Sequence, residues 1–424
     1  MRSVFNWLMA AQRAHARWEY DVSKVILARR KKLLLALLLP VLFAIGLECA
    51  YAFEVPHIIG GKHAYAPSFA TMEMFIASLA IGLCAGMITG CIGAGGGFIL
   101  TPALMSVGVK GIMSVGTDMF HIFAKAIMGT TLHRKMGNVS VGLALVFVIG
   151  SITGATVGGM INRGFYEKNP ALSDAFISSV YVIILGFLSF YTLYDFMRAR
   201  QNAGAGATAQ AGELTRLARA AQSLKAPPMI GFDQHVVPGG RRISVYPVIV
   251  AGFFIGFIAS IMGVGGGFLF FPTFVYGLGV STLTTVGTDL FQITITAGYT
   301  SIVQYALYGF VFYTLAMGLL LGSLVGIQIG AITTKLVRPI VITGFYGLTT
   351  FAGFMNRAFA LPGSLSKAGY VSLASSTAKT LDLVGLLVFF AIVGAFGLWV
   401  LISFIRGVGR YRAGEIPVSA GGLH

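Results

Sequence analysis

Hydrophobic positions in this chain come in long blocks rather than at helical or strand periods. Apolar runs near residues 112–132, 139–161, 174–197, 282–306, 310–333, 340–357 and 383–405 are each close to the 20 or so residues that a helix needs to cross a hydrocarbon core. An earlier run, LLLALLLPVLFAIGLECAYAF from Leu33, follows Arg29, Arg30, Lys31 and Lys32. It reads as a retained first span, because a 32-residue basic lead is too long for a signal peptide ending at Ala50-Tyr51-Ala52. Ahead of it, residues 1–32 mix Trp7, Leu8, Trp18, Val22 and Ile26 with eight basic residues, the make-up of an amphipathic helix lying on the inner leaflet. The polar stretch 198–245 reads as a linker between two halves, with ELTRLARAAQSLK as a short surface helix, and residues 358–381 read as a loop.

Two apolar segments, 72–108 and 247–279, are too long for one span and too short for two with a turn. Each is interrupted by a cluster of glycines, which predicts a re-entrant hairpin or a helix broken at depth. Non-helical backbone at that depth must be buried in protein or line a cavity. The two segments are copies of each other. Gly93, Gly95, Gly96, Gly97, Phe98 and Pro102 recur as Gly263, Gly265, Gly266, Gly267, Phe268 and Pro272, 170 residues on. SVGTDMFHIF (114–123) then matches TVGTDLFQIT (285–294), and GSITGATVG (150–158) matches GSLVGIQIG (322–330). The expected architecture is an all-α polytopic membrane protein of about eight spans plus two glycine-broken re-entrant hairpins. In chain order it comprises a basic segment (1–32), a first transmembrane half (33–197), the linker (198–245), a second half (246–405) and a tail (406–424).

Composition agrees: 56% of residues are hydrophobic and 10% charged, where soluble domains carry about 25% charged residues. The net charge of +16 would suggest nucleic acid in a soluble protein, but its placement argues for lipid instead. Of 30 Lys and Arg, 22 fall in segments 1–32, 133–137, 198–242, 335–338 and 406–424, which the positive-inside rule makes cytoplasmic, facing anionic headgroups. Both termini and the linker are then inside, and the two copies have opposite orientation. Inverted repeats with helices broken near the midplane are the architecture of secondary transporters. Cys49, Cys84 and Cys91 show no metal-ligand spacing and give no disulfide framework. No Walker A, HExxH, DFG or CxxC motif is present, so neither an enzyme nor a bound metal or cofactor is expected. Whether the chain forms a homo-oligomer is left open by the sequence.

Each GxGGG removes side chains where the backbone must turn, and the short helix that follows aims its positive dipole end into the membrane. Two such ends suit a small anion. The competing reading, that these glycines only allow tight packing, is the preferred one for the GSxxGxxxG pair, and Cys91 likewise reads as packing. Asp118 and Asp289 occupy equivalent positions in the copies, and intramembrane carboxylates are costly and usually functional. Alternatively each stabilises its helix start, with Thr117 or Thr288 as cap. His121 and Lys125 follow Asp118 on one helical face, where the second copy has Gln292 and Thr296. The candidate substrate-binding residues are therefore Gly93, Gly95, Gly96, Gly97, Thr117, Asp118, His121 and Lys125 with Gly263, Gly265, Gly266, Gly267, Thr288, Asp289 and Gln292.

Gly-x-Gly-Gly-Gly-Phe with its following proline, then Val-Gly-Thr-Asp, then His133 and Gly137-Asn138-Val139, resemble the TauE/SafE sulfite exporter family, also called the toluenesulfonate uptake permeases. The resemblance covers roughly residues 70–405 and both repeats. It implies a multi-spanning permease of the bacterial inner membrane for sulfite, sulfonates or related sulfur anions, and export driven by proton motive force is the expectation. The N-terminal 70 residues, the linker and the 358–381 loop depart from the typical shorter members. A passive anion channel, or a membrane scaffold or sensor acting through linker and N-terminus, are the alternative functions.

Overall fold

The computed structural model describes residues 72–92, 96–135, 139–201, 216–233, 240–333 and 339–412. The basic N-terminal segment, the span from Leu33, the middle of the linker, Gly93, Gly95 and the tail beyond Arg412 lie outside the described residues. The first half contains α1 (Met72–Ile92), the short α2 (Gly97–Ser106), α3 (Gly111–Lys135), α4 (Val141–Lys168) and α5 (Pro170–Gln201). In the second half, α7 (Val245–Met262), the short α8 (Gly267–Pro272) with a π turn over Thr273–Leu278, α9 (Thr282–Tyr299), α10 (Tyr313–Thr333) and α11 (Pro339–Lys367) repeat that order, and α12 (Ser375–Arg412) is added. Among the described residues six helices are long and apolar enough to cross a membrane, α1, α4, α5, α7, α10 and α12. The chain is a multi-pass membrane protein.

α1 and α7, the first arms of the two broken segments, are each of spanning length, and the returning arms, α2 and α8, are short. Two expectations change. The expected loop 358–381 is largely helical, since α11 runs on to Lys367 and α12 starts at Ser375. The linker is not purely helical. Besides α6 (Arg216–Ser223) it holds an antiparallel pair, β1 (Met229–Phe232) with β2 (Arg241–Ser244), in which Met229 faces Ser244.

The halves are interleaved. α1 packs along α10 and α4 along α7, while α5 packs on α11 and α3 on α9. Each spanning arm of one repeat thus lies against the GSxxGxxxG helix of the other. Glycine makes this possible. A methyl group on Gly150 or Gly154 would stand 2.0 Å from the carbonyl oxygens of Ile249 or Phe253, and one on Gly322 or Gly326 would stand 2.1 or 2.2 Å from those of Leu79 or Leu83. Methyl groups on the reciprocal glycines of the spanning arms, Gly82 and Gly86 in one copy and Gly252 and Gly256 in the other, would lie between 2.2 and 2.7 Å from partner carbonyl oxygens. Close backbone approach replaces the hydrophobic drive that lipid removes.

The linker segment sits on the second returning arm. Gln222 donates to the Leu278 carbonyl (2.8 Å) and Arg241 to that of Gly279 (2.8 Å). Asp233 accepts from the Ser281 amide (2.8 Å) and hydroxyl (2.6 Å), and Phe232 and Ile243 are buried with Phe147, Phe270, Phe274 and Leu278.

Candidate functional site

The two glycine breaks touch. A methyl group on Gly97 would lie 2.5 Å from Val264 Cα, and one on Gly263 would lie 2.9 Å from both Thr101 Oγ1 and Val115 Cα. The buried Tyr181 hydroxyl spans the junction, facing the carbonyls of both Met262 and Gly97. The backbones differ. Gly263, Gly265 and Gly266 have φ of 76°, 65° and 82°, which only glycine adopts freely, whereas Gly96 is right-handed at φ −84°. Gly96 thus enters the helical conformation one residue earlier than its counterpart Gly266. Both residues nevertheless do the same work, their carbonyls accepting the third and fourth amides of α2 (Ile99, Leu100) and of α8 (Leu269, Phe270).

Asp118 and Asp289 are the eighth residues of α3 and α9, fully or almost fully buried, well past their helix starts. Thr101 Oγ1 of α2 donates to Asp118 Oδ2 at 3.0 Å. His121 Nδ1 lies 3.5 Å from Asp118 Oδ1, and neither of those two atoms has a hydrogen-bond partner. His121 Nε2 is 2.9 Å from Ser323 Oγ of α10, whose hydroxyl donates to the Leu320 carbonyl. With the ring hydrogen on Nε2, Nδ1 would face Oδ1 as one acceptor facing another.

The second copy is wired differently. Ser151 donates to Thr296 Oγ1 (2.9 Å), Thr296 to Gln292 Oε1 (3.0 Å), and Gln292 Nε2 to Asp289 Oδ1 (2.8 Å). Every hydrogen in that chain is donated towards the carboxylate. A methyl group on Gly267 would be 3.3 Å from Asp289 Oδ2, which puts the carboxylate beside the first residue of α8. Lys125 is half-buried one turn beyond His121.

Thr117 and Thr288 do not cap their own helices. Thr117 Oγ1 accepts from the Phe312 amide (3.0 Å) at the start of α10, and Thr288 Oγ1 from the Ser140 amide (3.1 Å) at the start of α4. Each ties one repeat to the helix entry of the other. Cys91 is buried, its thiol against the Gly330 carbonyl at 3.3 Å, in the α1–α10 packing. Sequence reasoning missed Thr101, Tyr181, Ser151 and Ser323. The two serines carried a signal, as the serines of the repeated Gly-Ser motif, but nothing in the sequence pairs them with His121 and Thr296.

The model of the Sulfite exporter TauE/SafE family matches residues 78–356, a range that takes in both glycine breaks and both aspartates. The chain belongs to the TauE/SafE sulfite exporter family. Its relatives are similar at modest identity. The probable membrane transporter protein YjnA of Bacillus subtilis (strain 168) is 25% identical over 265 residues, covering 61% of this chain and 89% of the relative. YunE of the same strain, also a probable membrane transporter protein, is 26% identical over 265 residues, covering 61% and 87%. A probable membrane transporter protein of Xylella fastidiosa (strain 9a5c) is 22% identical over 268 residues, covering 62% and 85%. No solved structure matches the chain. A transporter family, not an enzyme family, accounts for this fold.

Proposed function

We propose that the protein is a secondary transporter that exports a small sulfur oxyanion, sulfite or an organosulfonate, across the bacterial inner membrane. The observation that carries the reading is the contact between the two repeated glycine breaks, each with a buried aspartate beside its short helix. Helix starts favour anions, and here Asp289 stands beside the first residue of α8, where a substrate anion would sit, while Asp118 stands against Thr101 one turn into α2. Ionised carboxylate and substrate therefore compete. An anion enters when the Asp118–His121 pair holds its proton, while Asp289, held by Gln292, orients donors without exchanging one. Gly96, Gly97, Gly266 and Gly267 admit the anion close to backbone amides, and Lys125 adds positive charge.

A doubly charged anion leaving with one proton moves one net negative charge outward. An inside-negative potential drives that movement by about 2.3 kcal/mol per 100 mV, while the pH gradient opposes it. In proteoliposomes, sulfite efflux should saturate and should accelerate several-fold when an inside-negative potential is imposed with potassium and valinomycin. Asp118→Asn and His121→Gln should flatten the pH dependence of flux, and Asp289→Asn should leave its shape unchanged. Wild-type pH profiles in all three variants would rule out this proton route, and flux that never saturates would favour a passive channel.

The orientation follows from the same proposal: both termini and the 198–245 linker are cytoplasmic. A cysteine introduced at Gln210 should resist a membrane-impermeant thiol reagent in intact cells and react after lysis. Labelling before lysis would reverse the orientation.

A further inference from the structure

Both returning arms end on the same turn, Val107-Gly108-Val109 in the first repeat and Leu278-Gly279-Val280 in the second, with the glycines left-handed at φ of 95° and 74°. Their surroundings differ. Val107 is 46% exposed and a methyl group on Gly108 would meet no atom within 4 Å, whereas Leu278 is 3% exposed. The cover is the folded part of the linker. Gln222 and Arg241 donate to the Leu278 and Gly279 carbonyls at the end of the π turn, and Phe232 and Ile243 pack with Phe270 and Phe274. The linker also reaches both neighbours of the arm. The Pro228 carbonyl accepts the Val245 amide at the start of α7 (3.1 Å), and Asp233 accepts the amide and hydroxyl of Ser281, the N-cap of α9. In the first repeat an aspartate likewise holds the start of α3, but Asp174, which accepts the Gly111 amide at 2.7 Å, belongs to the spanning helix α5.

We propose that residues 216–233 and 241–244 of the linker form a latch on the second glycine hairpin. Seated, it closes the way from Asp289 to the cytoplasm; it lifts during each cycle so that the anion can enter. The inference rests on the transport reading and its orientation, and adds the element that controls entry. Two four-residue strands and an eight-residue helix are too small to be stable without the arm they cover. Their hydrogen bonds to the arm end on two carbonyls and one serine, groups that water can satisfy once the latch lifts. Among the described residues Asp233 is the one non-glycine residue with a positive φ, 56°. Such a backbone persists where its surroundings hold it, and it is found at switch regions. Small, lightly bonded units of this kind open locally while the rest of the fold stays closed. The arm beneath is itself irregular, with π geometry over Thr273–Leu278, a form that recurs at functional sites.

The test uses the full-length chain with Cys49, Cys84 and Cys91 replaced by alanine. Leu217 Cδ2 of α6 lies 3.9 Å from where a methyl group on Gly277 would stand. Cysteines at these positions (Leu217→Cys with Gly277→Cys) can therefore be joined by a short bis-methanethiosulfonate bridge that dithiothreitol cleaves. In proteoliposomes the bridge should stop sulfite flux, and dithiothreitol should restore it. A buried reporter reads the latch without transport. Thr285 is fully buried one turn beyond Ser281, so Thr285→Cys should react slowly with a water-soluble maleimide. Adding Asp233→Gly should speed that reaction about tenfold, the worth of one charge-assisted hydrogen bond. Glycine suits the backbone of Asp233, so this variant removes the carboxylate without adding strain; should it fail to accumulate, Gln222→Ala takes its place. Unchanged flux after complete bridging, or unchanged labelling of the reporter, makes the linker a static brace and overturns the latch. A chain that moves no sulfite even before bridging overturns the transport reading instead, and the labelling comparison still decides whether the linker lifts.

Discussion

Gly266→Val and Gly263→Val should each abolish anion flux while the protein still accumulates in the membrane. Both residues hold a left-handed backbone, at φ of 82° and 76°, where a β-branched residue is strained by about 1–3 kcal/mol. Space adds to the strain. A methyl group on Gly263 would press on Val115 Cα at 2.9 Å, and one on Gly266 on Ile255 Cγ2 at 3.0 Å. Gly96→Ala is the informative contrast. Its backbone is right-handed, and its methyl group would meet only the end of the Leu100 side chain at 3.2 Å, so most of the flux should survive. Wild-type flux in both valine variants would show that the glycine turns are mere spacers.

The second large effect concerns the interleaved helix pairs. Gly154→Ala and Gly326→Ala add a single methyl group, yet each would sit far inside van der Waals contact with a neighbouring carbonyl oxygen, 2.0 Å from that of Phe253 and 2.2 Å from that of Leu83. The obstacle is backbone, which cannot rotate away, so the helices must separate. Overpacking of this kind costs about 1–3 kcal/mol even where side chains can adjust. Both variants should melt well below the wild type, and by similar amounts, because the two contacts are repeats of one another. Gly164→Ala is the control. No atom lies within 4 Å of its added methyl group, and alanine's helix propensity favours the change by up to about 1 kcal/mol. If Gly154→Ala and Gly164→Ala melt alike, close glycine packing does not hold the two halves together.

The sequence by itself determined the class, the two-fold repeat and the two aspartates, because blocks of apolar residues and identities recurring at 170 to 172 residues depend only on order along the chain. It also favoured packing as the role of the GSxxGxxxG helices, since a stripe of small residues at helical spacing has few uses besides close approach. What it left open were the partners. His121 meets Ser323 across 202 residues, Thr117 meets Phe312 across 195, and Thr288 meets Ser140 across 148. All three contacts cross from one repeat to the other, so no local pattern encodes them. The tertiary structure alone decided that the threonines tie helix entries rather than cap their own helices, and that Gly96 and Gly266 differ in hand. It decided also that β1 and β2, two four-residue strands, fold the linker onto the second returning arm. The difference between the copies shows the division best. His121 and Gln292 were visible as a substitution within a repeat, but the unpartnered ring nitrogen facing Asp118, and the donor chain that fills the same place at Asp289, depend on which hydroxyl stands behind each residue. Only packing of the two halves against each other sets that.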